Sequence, residues 1–220
     1  MKRMKYFLPA LFFGSMLLFA GCNIRYNSSS ELNNECTYTI DGEIASLEIS
    51  GGVDVVVDGT LALNEVRVLA NTDDFSKLVV KVEDDRLVIS HKRLIGNKEY
   101  KVFVPALDYK ALAISGGADL EWNCCAAEVL AVTVSGGADC EINGKCNTLA
   151  VVASGGADVD LDELIAGEVS VVASGGADVE LHAVRTISLT ASGGADVYVD
   201  GTPQISEWNV SGAADVHIKK

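Results

Sequence analysis

Carboxylates are the most regularly placed reactive groups in this chain of 220 residues. An Asp recurs at Asp119, Asp139, Asp158, Asp178, Asp196 and Asp215, with a second acid two residues on at Glu121, Glu141, Asp160 and Glu180, before that position drifts to Tyr198 and His217. Such acids could gather a hard cation, and the Gly-Gly-x-Asp context resembles that of calcium-binding β-rolls. Those rolls repeat every nine or so residues and carry a second Gly-x-Asp unit, which is missing here, and one column cannot easily supply the six to eight oxygens that calcium takes. The favoured expectation is therefore that each Asp accepts hydrogen bonds from backbone N–H groups or the Ser hydroxyl of its own turn, with no cofactor required and calcium the minor alternative. Carboxylates in a groove with Arg or Lys also serve polysaccharide-cleaving enzymes. His182 and Arg185 stand three apart, but His91 and His217 stand alone, and the reading is of solvated residues rather than of an enzyme.

These acids are positioned by a repeat. SGGAD begins at Ser115, Ser135, Ser154, Ser174 and Ser192, returns as SGAAD at Ser211, and appears early as SGGVD at Ser50, with steps of 18 to 20 residues from Ser115 on. A steady period of this length means stacked units, each burying its apolar face against the next. Counting from the Ser, positions −3 and −1 are apolar, as in Val132 and Val134 or Val171 and Ala173, and so are +5 and +7, as in Val159 and Leu161. Alternation with a period of two is a strand signal, and a helical solenoid would need 3.6. The fold predicted is all-β: a parallel β-helix with coils of about nineteen residues, right-handed by the chirality of parallel crossovers. Glycine is needed where the chain turns a corner between strands, and Ala213 in the last copy suggests that the second glycine is the less demanding.

In a solenoid the outward positions are free for function. Positions −4 and −2 carry no charge over four coils: Ala131 and Thr133, Ala150 and Val152, Ser170 and Val172, Ser188 and Thr190. Thr133, Val152, Val172 and Thr190 are the candidate adhesive or self-association face, unless the N-terminal region covers them. Coil length varies by two residues from Ser115 to Ser211, which leaves no extruded loops to wall a catalytic groove. Of the six cysteines, Cys140 points inward, and Cys124 and Cys125 face Cys146 across a coil step. A disulfide between Cys146 and Cys125 (or Cys124) is expected, the unused neighbour staying free or bonding Cys36, because adjacent strand side chains alternate. Zinc is the lesser reading, since paired Cys-x-x-Cys spacing is missing.

The ends carry an address. Lys2, Arg3 and Lys5 precede an apolar run from Tyr6 to Ala20, too short to span a bilayer comfortably, and Leu18-Phe19-Ala20-Gly21-Cys22 resembles a bacterial lipobox. Residues 1–21 read as a signal peptide, Cys22 as the acylated residue, and residues 22–35 as a polar tether; Asn23 at the second mature position points to the outer membrane, on either face of it. Cleavage raises the net charge from −14 to −17, which argues against nucleic acid as a partner. Residues 36–110 are β-rich but irregular, with a hairpin excursion expected around Glu83-Asp84-Asp85, and residues 111–220 are the regular coils of one continuous domain.

The chain from Cys36 to Lys220 resembles the putative auto-transporter adhesin, head GIN domain family, in SGGVDVVV, KVEDDRLVIS, VFVPALDYKALAISGGADLEW and the SGGADV coils. The resemblance implies a right-handed β-helix on the cell envelope and no established chemistry. The functional expectation is a non-catalytic, lipid-anchored adhesin-like or scaffold module whose partner is a surface polysaccharide, a protein or a second copy. The alternative is a β-helical polysaccharide-binding protein or polysaccharide-degrading enzyme.

Overall fold

The computed structural model describes residues 32–91 and 98–219, so the leader, Cys22 and most of the tether lie outside the described residues. Fifteen strands form one continuous sheet: β1 Asn34–Thr39, β2 Ser46–Ser50, β3 Asp54–Asp58, β4 Glu65–Ala70, β5 Leu78–Glu83, β6 Arg86–His91, β7 Tyr100–Pro105, β8 Ala111–Gly116, β9 Asp119–Gly136, β10 Asp139–Gly155, β11 Asp158–Gly175, β12 Asp178–Ala191, β13 Asp196–Asp200, β14 Gln204–Val210 and β15 Asp215–Lys219. From β8 onward every neighbour is parallel, with motif on motif: Ser135 pairs Ser115, and Ser154 pairs both Ser135 and Ser174. This is the expected parallel β-solenoid.

Inward and outward positions follow the period-two reading. Val159 and Leu161 at +5 and +7, and Val171 and Ala173 at −3 and −1, are fully buried, while Asp158 and Asp178 are exposed. The Ala of SGGAD is also interior: Ala118, Ala138, Ala157, Ala177 and Ala195 sit in the corner with at most 1% exposure. Val53 fills the same corner in the first motif and is also fully buried.

The corner explains the glycines. The first glycine of each motif has positive φ, from +76° at Gly212 to +85° at Gly136. A Cβ on Gly155 would also stand 2.8 Å from the carbonyl oxygen of Gly136 in the coil below, whereas one on Gly156 would stand 3.8 Å from the same atom. The second glycine is thus the tolerant one, as Ala213 suggested. Its N–H continues the inter-coil hydrogen bonding through the turn, with Gly156 N donating to Gly136 O at 2.8 Å and Gly176 N to Gly155 O at 2.7 Å.

The irregular segment contains the expected excursion, and returns in register. β5 and β6 form an antiparallel hairpin whose turn residues Asp84 and Asp85 both have positive φ, 50° and 58°. Two adjacent left-handed residues are the signature of the turn that best matches strand twist. Sixty-five residues after Ser50, Ser115 lands beside it, so β2 and β3 stack directly on β8 and β9. The excursion itself supplies a further coil on the opposite side, where β6 pairs β2 and β7 pairs β3, both parallel. Stacking order along the axis therefore departs from chain order. β4 and then β1 add to β7 antiparallel, and Phe75, Leu78 and Tyr100 are buried at this end.

The contrast at the corner makes a direct test. Gly155→Ala should cost on the order of 2 kcal/mol in urea unfolding, through left-handed strain and the backbone clash. Gly156→Ala should stay within about 0.5 kcal/mol of the parent. Equal losses at both positions would contradict this account of the turn.

Candidate functional site

Coil stacking converts the repeated Asp into a continuous column. Cα register aligns Asp54, Asp119, Asp139, Asp158, Asp178, Asp196 and Asp215 in that order along the axis. Asp54 joins from the early SGGVD motif, and Lys101 on β7 lies beside it and ends the column with a cation. Beside this runs the second column, Val56, Glu121, Glu141, Asp160 and Glu180, with Phe103 beyond Val56 at one end and Tyr198 and His217 at the other. Arg67 sits 4.7 Å over the Phe103 ring, and Tyr198 and His217 stack at 5.0 Å. Together the columns line a shallow groove of about 430 Å³ from Lys101 to Asp160.

Among the described residues the expected hydrogen bonds to the side chains of the Asp column are not made. The backbone N–H of Asp139 donates to Ala118 O at 3.1 Å and that of Asp158 to Ala138 O at 3.1 Å, so the turn donors serve the inter-coil ladder and are not available to the carboxylates. Partial burial first, and neighbouring carboxylates second, raise the pKa values of Asp119 and Asp158. Among the described residues no three His, Cys, Asp or Glu side chains converge as a metal ligand set. The columns instead spread their oxygens along the axis, one rung per coil. His91, His182 and His217 lie on β6, β12 and β15, and none is brought beside another.

The cysteine expectation is corrected. Cys124, Cys125, Cys140 and Cys146 are all free thiols. Alternation was read rightly, since Cys124 is exposed while Cys125 and Cys146 both face inward. The register, however, sets Gly144 opposite Cys125 and Ala127 opposite Cys146, two residues out of step. The reason is a corner at Cys124, which takes a left-handed φ of 62° where the next coil has Gly144 at 129°. Burial raises the Cys125 thiol to about 12, with Cys146 close enough to add to it, and burial alone raises Cys140 to about 12. These are neutral core groups at physiological pH.

A different surface is flat and uncharged. Thr133, Val152, Val172 and Thr190 are aligned in successive coils, with Ala113 extending the row. The described N-terminal region does not cover them: Val152 and Val172 are 43% and 42% exposed. The companion row is Ala111, Ala131, Ala150, Ser170 and Ser188. Charge returns only at its ends, where Arg86 bonds Glu48 at 2.9 Å and where Glu207 follows Ser188. From β8 to β12 the patch rises roughly 19 Å at about 4.8 Å per strand.

A second groove, of about 510 Å³, crosses the remaining side. Arg185 reaches over two coils to Asn147 Oδ1 at 2.6 Å, with Glu168 at 3.5 Å, and Asn147 in turn donates to Glu128 at 2.8 Å. Gly167 makes this possible, because a Cβ there would stand 2.6 Å from the guanidinium carbon. This clasp was not visible in the sequence, where Arg185 and Asn147 alone are 38 residues apart in separate repeats.

The unbonded carboxylates imply a pH dependence with a definite sign. A folded-state pKa raised above the ordinary 3.8 means that the native state holds its proton more tightly than the unfolded chain, so this contribution makes the protein more stable as pH falls from neutrality toward that value. Asp158→Asn should be more stable than the parent at pH 7, by no more than about 1 kcal/mol. The difference should shrink on acidification and with added salt, as read by thermal denaturation. A destabilised Asp158→Asn protein would show that the carboxylate makes a favourable contact.

Solved structures share the architecture. A putative adhesin from Bacteroides fragilis superposes with a TM-score of 0.68 at 15% identity, covering 84% of this chain and 96% of its own. A putative lipid binding protein from Parabacteroides distasonis superposes with a TM-score of 0.50 at 14% identity, covering 84% and 97%. At such identities the likeness is one of fold. No curated protein matches the sequence. The family comparison is specific and spans residues 43–203, from the strand before the first motif through the last complete coil, and by it the chain belongs to the putative auto-transporter adhesin, head GIN domain family.

Proposed function

We propose that this protein is a lipid-anchored, non-catalytic binding module of the bacterial cell envelope. The uncharged face of Thr133, Val152, Val172 and Thr190 would be its contact surface. The observation that carries the proposal is that face: β-branched side chains aligned over successive coils, exposed at Thr133, Val152 and Val172 and half-buried at Thr190, and bounded by charge at its ends. A net charge of −14 gathered elsewhere keeps such a patch soluble until a ligand covers it. Adhesin and lipid binding protein, the names carried by the two structural neighbours, both denote binding rather than turnover. The acidic groove is shallow and its carboxylates lie in rows.

Residues 1–21 would be removed, Cys22 acylated, and residues 22–35 would hold the domain away from the outer membrane by up to roughly 40 Å at about 3.3 Å per residue. Contact with a surface polysaccharide or protein follows if the domain faces outward. A polysaccharide-degrading role is the reading set aside.

Three experiments test the proposal. Protease shaving of intact cells should remove the domain, and full protection would sink a surface-binding role. Cys22→Ser should abolish acyl-chain labelling and release the protein from the membrane. A mature N-terminal peptide carrying Cys22 unmodified, or joined to another cysteine, would overturn the anchor. On cells shown by shaving to display it, Val152→Lys with Val172→Lys should lower retention on a mucin-coated surface severalfold. Unchanged retention would assign contact to another face.

A further inference from the structure

The two ends of the solenoid differ. At the end formed by β6 and β7, inward side chains are covered, with Tyr100 at 2% and Leu78 at 6% exposure. At the other end, among the described residues, β14 pairs only β12 and β15 pairs only β13, leaving each of these strands with a free edge. The inward positions of this coil are open: Trp208 is 38% exposed, Val210 41% and Ile218 37%. Their counterparts one coil earlier, Leu189, Ala191 and Val199, are fully buried. A free parallel edge bearing apolar inward residues is a template for another strand.

The sequence of β15 indicates which strand. It reads Asp-Val-His-Ile-Lys from Asp215 to Lys219. Set antiparallel to itself about His217, it places Asp215 opposite Lys219 of a second copy, twice, and Val216 opposite Ile218. Directly opposed residues in an antiparallel pair point to the same side of the sheet. Val216 and Ile218 alternate inward and would join the two open interiors, with Trp208 and Val210 closing over them. Asp215, His217 and Lys219 alternate outward, where the opposite charges meet.

The acidic column supports the same arrangement. At its covered end the column finishes with a cation, Lys101 beside Asp54. At its open end Asp215 has Asp196 on one side and, among the described residues, no strand on the other. Antiparallel pairing of β15 would put Lys219 of the second copy at that missing rung, so that both ends of the column would be closed by lysine.

We propose that the protein self-associates tail to tail as a two-fold dimer through the free edge of β15, with His217 on the axis and Asp215 paired to Lys219 of the second copy. Such an interface is isologous and closes on itself, so it yields dimers rather than fibres. In the cell it would join two lipid-anchored domains end to end.

Charge exchange tests this register, with sedimentation of the full-length protein in detergent as the readout. The parent should run as a dimer at tens of micromolar. Lys219→Asp and Asp215→Lys should each weaken association at least tenfold by opposing like charges, and the double exchange should restore the dimer. Circular dichroism should be the same for all four proteins, since the substituted side chains are exposed in the monomer. A monomeric parent would overturn the proposal. So would a dimer indifferent to both single exchanges, which would place contact on the flat face instead, or two single losses that the double exchange fails to repair.

Discussion

Everything in this molecule depends on the chain's ability to turn a corner while still hydrogen-bonding to the coil beneath it. The first glycine of the motif takes a positive φ, and its missing Cβ leaves the carbonyl of the preceding coil 2.8 Å from where that carbon would be. The second glycine donates across the same gap, Gly137 to Gly116 at 2.8 Å and Gly194 to Gly175 at 2.6 Å. With no break in the ladder at the corner, the strands on both sides are held in one register, and a residue's place in the repeat becomes its place on a face. The rows of Asp, of interior Val and Leu, and of uncharged Thr and Val are consequences of that alignment.

Register read from the repeat was reliable where the coil is uniform. The alternation about Ser154 or Ser174 correctly separates Val159 and Leu161 from Asp158, because a strand with one buried face cannot slip by one residue without exposing its whole core. The buried Ala of SGGAD was less visible, since a corner has no period to read. The cysteines show the same limit. Cys125 and Cys146 both face inward, yet a left-handed corner at Cys124 opposite an Asn143-Gly144 bend shifts the third side, and counting from the Ser could not detect it. Least visible of all was the stacking order. Nothing in the residues 59–110 announces that β6 and β7 will lie on the far side of β2 and β3, because that choice is made by which open edge the excursion meets in space. Lys101, the one cation of the acidic column, was hidden for that reason.

The distribution of charge divides labour among the faces. Acidic side chains fill one side almost without compensation; in the Asp column the backbone N–H groups are committed to the inter-coil ladder, and in the second column Glu121 accepts from Asn123 and Asp160 from the N–H of Asp162. The cost is repulsion, which solvent and salt reduce. The benefit is solubility for a protein whose other side displays Val152 and Val172 in the open. The third side is held by the Arg185 clasp, which ties four coils together through polar contacts at the surface rather than through the core.

A solenoid distributes its stability as neighbour-to-neighbour terms, so its ends govern its behaviour more than its middle does. An interior coil such as that of β11 has a stacked partner on both sides, whereas the coil of β14 and β15 has one, and its Trp208 gains only part of the burial that Leu189 gains one step away. At the opposite end the chain answers this problem by departing from the repeat: a hairpin, two antiparallel strands and the ring of Phe75 packed edge-on against Tyr100 at 6.3 Å replace another coil. The irregularity of residues 36–110 is therefore a physical requirement of the regularity that follows. A repeat that stacks without limit needs one segment that does not repeat, and the sequence keeps that segment N-terminal to the regular coils, at the end of the stack opposite the open one.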